Sequence, residues 1–342
     1  MAAITSEKTY TGQQLSDIFF RTTFSGKSAT ELGLRVVYNL PVPTTLTLWS
    51  LTGDGIKPYE SGFQGENQTT RVSKKIDMTK CKIENAFSPS DYEGRIYELI
   101  TNDPNVNLQD LSGSDLERAE TELFRRFIRE NIRVQMWVGN SARKTTDDKP
   151  GKYSVFDGLL KKALDTTNYK ELHRVTMSAA PTSSNIISIL DSVWNAAPAE
   201  LKEMKSGGDL AYFATSDVLE AYEAYLDSKG NSAAYADLQK GRDTLQYHGI
   251  RIVEAQVDSI IAGLSDMPDS FVLLAPKQNL VLSLNTSNMP DAEVRMWYNP
   301  DQIENRQRCC FLAGTEFLDE NLVVFASKAK ATQSGQTQST KA

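Results

Sequence analysis

Residues 114–139 read SDLERAETELFRRFIRENIRVQMWVG, and the rest of the chain is placed by how this stretch folds. Leu116, Ala119, Leu123, Phe127, Val134 and Val138 recur at spacings of three, four or seven, and Phe124, Ile128, Ile132 and Met136 form a second row at four-residue spacing. Together they make the wide apolar stripe of a half-buried helix. Ser114 and Asp115 suit its start, Glu117 sits in its first turn, and Gly139 is placed to end it. At about 1.5 Å per residue the helix runs on the order of 37 Å, longer than most globular helices. Such a helix needs a sheet or loops spread along it, which predicts an elongated protein.

The polar side of the same helix carries Arg118, Arg125, Arg126, Arg129 and Arg133, interleaved with Glu117, Glu120, Glu122 and Glu130. Glu122–Arg126 and Arg126–Glu130 have the i,i+4 spacing of helical ion pairs. This reads as a salt-bridged outer face that partly contacts other subunits, rather than as a phosphate track. Composition agrees. The 342 residues carry a formal charge of −7, with the acidic excess beyond residue 150, whereas nucleic-acid binders usually show a basic surplus. Hydrophobic residues at 40% and charged residues at 24% are those of an ordinary globular protein with room for about two domains. No apolar run approaches the roughly 18 residues of a membrane span, so no membrane partner is expected. The N-terminus MAAITSEKTY lacks the layout of a signal peptide. Cys81, Cys309 and Cys310 are no disulfide framework, which points to folding in a reducing cytoplasm.

Outward from the helix, the chain divides by texture. Residues 1–10 read as a loose arm and Gln13–Phe24 as a short helix. Leu46–Leu51 reads as a strand. From Thr52 to Lys75 the chain turns polar and glycine-rich, with Ile56, Tyr59, Phe63 and Val72 as its only large apolar residues. A second strand follows through Ile76, Met78 and Ile83, which outlines a long hairpin. Polar loops of this length are mostly functional or disordered, and the functional reading is an arm that lies on a neighbouring subunit. After the long helix, 143–152 reads as a hinge-like loop, 155–164 and 183–196 as helices, and Leu210–Ala214 as a buried strand. A helix capped near Thr215 or Ser216 comes next. Gly249–Val257 is a strand, and Phe271–Pro276 is a central strand buried on both faces. Pro276 then opens a short helix through Leu282. Strands at 293–298, 307–317 and 322–326 precede a polar tail. Strands and helices mix without regular alternation, so the class is α+β.

Sites of chemistry are sparse. Phe24-Ser-Gly-Lys-Ser28 lacks the upstream glycine of a phosphate loop, since Arg21 stands there. His173 and His248 alone make no zinc spacing, and His248, between Tyr247 and Gly249, reads as a turn residue. Cys309 and Cys310 face opposite sides of a predicted strand, so one is a small core residue. Tyr212, Phe213, Tyr222 and Tyr225 read as core and interface packing. No catalytic, cofactor or metal residues are assigned.

The order of these pieces carries a resemblance. A loose arm leads to a hairpin over 44–84, then to the helix ended by Gly139, then to Phe156-Asp157-Gly158-Leu159-Leu160. FVLLAPKQNLVLSL, EVRMWY, RCCFLAGTEF and NLVVFAS close the chain. Over about residues 35–327 the sequence resembles tailed-phage major capsid proteins of the Hong Kong 97-type fold.

The resemblance implies an N-terminal arm (1–43), an extended hairpin loop (44–84) and a peripheral domain with a long spine helix (85–180). It further implies an axial domain (181–270), return strands completing both domains (271–327) and a disordered tail (328–342). Copies would associate as hexamers and pentamers into an icosahedral head around double-stranded DNA held without sequence-specific binding. A separate scaffolding protein and a portal would assist, with assembly in the host cytoplasm and residence in the virion. On this reading Tyr59, Phe63, Glu66, Arg71, Lys74, Lys75, Arg125, Arg126, Arg129 and Arg133 are the subunit-interface candidates. A nanocompartment shell around cargo enzymes shares the fold, and an unrecognised hydrolase is a more distant alternative.

Overall fold

The structure is a computed structural model, and it describes residues 8–10, 34–38, 44–51, 69–87, 115–145, 149–229, 245–285, 294–299, 301–302 and 304–329. The chain divides into two compact units, one of residues 1–158 with 280–319 and the other of 159–279 with 320–342. The fold is mixed α+β, as the sequence implies. The predicted helix at 13–24, the phosphate-loop lookalike, the tip of the hairpin and the polar tail beyond 329 lie outside the described residues.

The first unit is organised on one long strand, β13 (Glu304–Phe317). Its outer half alternates half-buried and buried, the pattern of a strand with one covered face, and its last seven residues are all buried. Strand β5 (Thr79–Phe87) runs antiparallel along β13 from Ala313 to Asn305. Two collinear strands, β11 (Leu280–Asn285) and β12 (Val294–Asn299), also pair antiparallel with β13, at Leu312–Phe317 and Glu304–Cys309 respectively. Because Leu312 and Ala313 pair with β5 and β11 at once, those two strands occupy opposite edges of β13. The short strands β1 (Lys8–Tyr10) and β2 (Arg35–Tyr38) extend the sheet, antiparallel on β12 and parallel on β11.

Strands β3 (Thr44–Leu51) and β4 (Thr69–Ile76) form a separate antiparallel ladder, in register from Thr44↔Ile76 to Leu51↔Thr69. The ladder differs from the expected strand pair in its return. The second strand begins at Thr69, inside the stretch assigned to loop, and its partner is β3 alone. β5 pairs elsewhere. The reason is compositional: TTRVSKK is β-branched enough to pair although too polar to be buried.

The long helix, α1, spans Asp115–Val138. Phe124, Ile128, Ile132 and Met136 are buried, as are Val134 and Val138. Phe127, assigned to the stripe, is 45% exposed. In the last turn, by contrast, Val134 to Val138 are buried all round.

In the second unit a six-stranded sheet has the order β6-β14-β10-β7-β9-β8. The strands are β6 (His173–Thr176), β7 (Leu210–Ala214), β8 (Gln246–Tyr247), β9 (Ile250–Glu254), β10 (Ser270–Pro276) and β14 (Val324–Lys328). Every residue of β10 is buried, as its unbroken apolar run predicts, and both of its neighbours are antiparallel. One face of the sheet packs in a single cluster with α3 (Ile186–Ala196) and α5 (Ser216–Lys229). Tyr212, Val272 and Ala326 meet Leu190, Val193 and Val218 there. The remaining helices are short: α2 (Leu159–Leu164), α4 (Ala199–Glu203) and α6 (Asp258–Ile261). The predicted helix over 155–164 therefore begins only at Leu159. Pro276 opens no helix to Leu282 either. It ends β10, a 3-10 turn covers Lys277–Asn279, and β11 starts at Leu280. All six residues of β11 are buried and paired with β13, and Val281–Leu284 pair with β2 as well, so sheet pairing overrides the proline signal.

At the start of α5 the Thr215 hydroxyl does not cap. It exchanges hydrogen bonds with the Phe271 backbone, its Oγ1 accepting from N–H at 3.2 Å, while Asp258 Oδ1 accepts from the Ser216 N–H at 3.0 Å. His248 is a turn residue as expected: it and Gly249 have φ of 52° and 75° and join β8 to β9 in two residues.

Candidate functional site

The described interface candidates read from the sequence fall on the β3–β4 ladder and on α1. The ladder pairs with no further strand among the described residues. Its base is fixed by Ile76, 1% exposed, which packs with Val281 and Leu318 and with the half-buried Val37 and Met78. Lys74 is half-buried opposite Leu46, and Lys75, opposite Thr45, is exposed. Lys75 Nζ lies 2.8 Å from Asp77 Oδ1, a surface ion pair of small energetic value. Arg71 stands opposite Trp49 in the register. Tyr59, Phe63 and Glu66 lie outside the described residues. On α1, Arg125, Arg129 and Arg133 follow one another at four-residue spacing and are all half-buried, and Arg126 is their neighbour in the same helix. The candidates thus form two groups, one per element.

A closure at the C-terminal end of α1 holds this unit together. Gly139 N–H donates to Gln135 O at 3.0 Å and Gly158 N–H to Gly139 O at 2.9 Å, so the two glycines meet face to face. A Cβ on Gly139 would lie 2.3 Å from Phe156 O, and one on Gly158 would lie 2.7 Å from both Gly139 N and Trp137 O. Glycine is required here by close approach of two backbones rather than by a left-handed turn. Gln135 Nε2 donates to Phe156 O at 2.8 Å, and the Arg143 guanidinium donates to Val138 O at 3.1 Å and Lys152 O at 2.7 Å. Arg143 thereby satisfies a carbonyl that the helix end leaves without an intrahelical partner. The described residues of the segment read as a hinge are tied together: Lys144 and Pro150 form a bridge, and beside them Asp157 Oδ1 accepts from Ser141 N–H and Oγ, each at 2.7 Å.

Between α1, β5 and this loop lies a groove of about 360 Å³. Its walls are Cys81 and Ile83 from β5, Ile132 and Gln135 from α1, and Phe156 and Phe311, with Lys82, Lys152 and Val155 at its rim. Cys81 is buried, and desolvation pushes its thiol up to about 12 against a backbone hydrogen bond that lowers it. Cys309 is raised well above the usual thiol range, first by burial and then by Cys310 and Cys81. Neither is a nucleophile at neutral pH. No cluster of three or more metal-ligating side chains occurs among the described residues, and no helix among them is long and apolar enough to cross a membrane. The groove and the role of Gly158 went unread in the sequence, although Phe156–Leu160 had been singled out.

Comparison with solved structures places this architecture. A chain of the satellite phage P4 procapsid, which includes a size determination protein, matches with a TM-score of 0.58 at 11% identity, covering 95% of this chain and 94% of that one. The capsid of an empty GTA particle matches with a TM-score of 0.52 at 14% identity, over 89% and 91%. The capsid of Ralstonia phage GP4 matches with a TM-score of 0.51 at 12% identity, over 98% and 95%. The chain has a phage-capsid fold. Likeness at such low identity concerns the fold, and the capsid fold here carries the hairpin ladder, the long helix and two separately cored units. No protein-family model matches the chain, and no curated protein matches it.

Proposed function

We propose that this chain is the shell-forming subunit of a tailed-phage head. Copies associate as hexamers and pentamers into an icosahedral shell that encloses double-stranded DNA. The observation that carries this reading is the match in fold to chains of capsid particles along nearly the whole length. The β3–β4 hairpin is the extended arm, the unit containing α1 is the peripheral domain and the unit containing β10 is the axial domain. The interface candidates on the hairpin and on α1 lie against neighbouring copies. A separate scaffolding protein and a portal assist assembly in the host cytoplasm, and the product resides in the virion. The role is structural rather than enzymatic, and the acidic balance suits a wall that contains DNA without gripping its phosphates.

The test is expression of the full chain, alone and with a scaffolding protein, followed by sizing and negative-stain microscopy. Capsomers or closed or tubular particles are expected. A chain that stays strictly monomeric with a scaffold present overturns the proposal. A particle loaded with a cargo enzyme would instead support the nanocompartment reading.

A further inference from the structure

We infer that the groove between α1 and β5 binds a small amphiphile, an acyl chain with a carboxylate head. The inference stands apart from the shell-forming reading, because it concerns a cavity within one unit of a single copy. Size selects the class of ligand. A volume of about 360 Å³ falls at the lower end of the range for small-molecule sites. It equals roughly twelve waters at about 30 Å³ each, and a methylene takes about the same space, so a chain of about ten carbons fills it. A protein partner would need about 20–30 residues on each side, whereas eleven line this groove.

Chemistry selects the two ends of that ligand. Ile83, Ile132, Phe156 and Phe311 give apolar walls, and Val155 at the rim is 44% exposed. Among the described residues the Lys152 ammonium and the Tyr153 hydroxyl, which also line the groove, have no hydrogen-bond or ion-pair partner. Lys82, the second ammonium of the rim, already meets Glu84 at 2.9 Å. A carboxylate head can accept from the free ammonium and the free phenol together. The loop is also built to present them. Tyr153 is held at a φ of 55°, a left-handed conformation rare for a ring-bearing residue. Its carbonyl accepts from Asn140 N–H at 3.0 Å, from Gln135 Nε2 at 3.3 Å and from the Arg143 guanidinium at 3.4 Å. Three bonds to one carbonyl fix the backbone where it is strained, so this wall is organised before any ligand arrives.

Calorimetric titration of the full chain with octanoate, decanoate and dodecanoate, each below its micelle concentration, tests this. Affinity is expected to rise about fourfold per added methylene up to about ten carbons and then to level. The methyl resonances of Ile83 and Ile132 are expected to move with decanoate. Lys152→Glu, at an exposed position, is expected to weaken decanoate roughly three- to tenfold and to admit decyltrimethylammonium, which the unchanged chain takes poorly. Tyr153→Phe, which keeps the ring and removes only the hydroxyl, is expected to weaken decanoate by a smaller factor and serves should Lys152→Glu misfold. Equal affinity for the two head groups, or decanoate binding untouched by either variant, overturns the inference. So does uptake that keeps rising with chain length while the isoleucine methyls stay in place. A chain that takes up no amphiphile, with Val155 protected from solvent only in assembled particles, gives the groove to a neighbouring copy and overturns it as well. None of these outcomes decides whether the chain assembles, which sizing reads separately.

Discussion

Replacing Gly139 or Gly158 by alanine probes the closure on which the α1 unit depends. The clash is with backbone in both cases. An added Cβ on Gly139 meets Phe156 O at 2.3 Å and Gln135 O at 2.6 Å, and one on Gly158 meets three backbone atoms at 2.7 to 2.8 Å. Carbon and oxygen rest no closer than about 3.3 Å, so the 156–158 segment must retreat by the better part of an ångström. That movement loosens the Gly158 N–H to Gly139 O bond and the Gln135 bond to Phe156 O. Two weakened buried hydrogen bonds at about 1 kcal/mol each, added to overpacking of about 1–3 kcal/mol, give a loss of about 3–5 kcal/mol. With a urea dependence of about 2 kcal/mol per molar, the midpoint falls by roughly 1.5–2.5 M. The assay is urea unfolding followed by the emission of Trp137, which is fully buried at the closure itself, in a background where it is the single tryptophan. Gly207→Ala is the control, because its nearest neighbour lies 3.8 Å away and the change should be within about 0.5 kcal/mol of neutral. Midpoints for the two closure variants equal to that of Gly207→Ala would refute the reasoning.

Alkaline pH should destabilise the α1 unit. Cys81 keeps its proton to about 12 when folded but loses it from about 9 when unfolded. Its raised value means that stability is intact below the unfolded value and declines as pH rises through that window. The decline is about 1.4 kcal/mol per pH unit from this group, and Cys81→Ala should flatten the slope in unfolding titrations at pH 8 to 11. The same burial predicts that a soluble alkylating reagent modifies Cys310, half-buried, well before Cys81 and Cys309, as peptide mass mapping would read. In the other unit, the Arg174 guanidinium donates to the carbonyls of Ala163, Asp165 and Tyr169 at 2.8 Å and of Leu172 at 3.2 Å. Arg174→Lys offers no planar fork to replace it and should cost about 2–3 kcal/mol in thermal unfolding, much as Arg174→Ala does. Ile76→Ala opens a cavity at the base of the hairpin ladder and should cost about 2–4 kcal/mol, with particle yield falling alongside stability.

How much of this was legible beforehand varied with the kind of constraint. Helix α1 could be read to within a residue because twenty-four residues carry their own period and end at a glycine. The strands β7 and β10 were equally plain, since an apolar run as short as LAYFA or FVLLAP has few other fates. Where the chain obeys long-range partners, local signals misled. Leu280–Leu284 follows a proline and has the composition of a helix, yet it is held between β13 and β2. Phe127 continues a stripe but is exposed, and the end of α1 is covered by a loop about twenty residues on, which no helical period announces. TTRVSKK reads as loop from polarity alone, and only its register with β3 makes it a strand. The groove was hidden for the same reason. Cys81 and Phe311 meet through sheet pairing, and Ile132 and Val155 reach them from the helix and a loop, a meeting that no sequence period announces.

The hairpin ladder carries the last consequence of the fold. A two-stranded ladder in water is marginal by itself, and this one packs on the sheet of its unit through Ile76 at its foot. Its amides from Leu46 to Leu51 should therefore exchange with solvent by local opening far more readily than those of β13, which is paired on both edges at its centre. Association changes this by mass action. If copies cover the hairpin at an effective concentration 100-fold above the dissociation constant, the covered state gains about 2.7 kcal/mol, or a factor of about 100 in protection. Exchange of the ladder measured in free subunits and in assembled particles should differ by that order, while exchange in β10, buried within its own unit, should hardly move. Equal slowing of both strands would mean that assembly stiffens the subunit as a whole. No slowing of the ladder would mean that the arm is not what neighbouring copies hold.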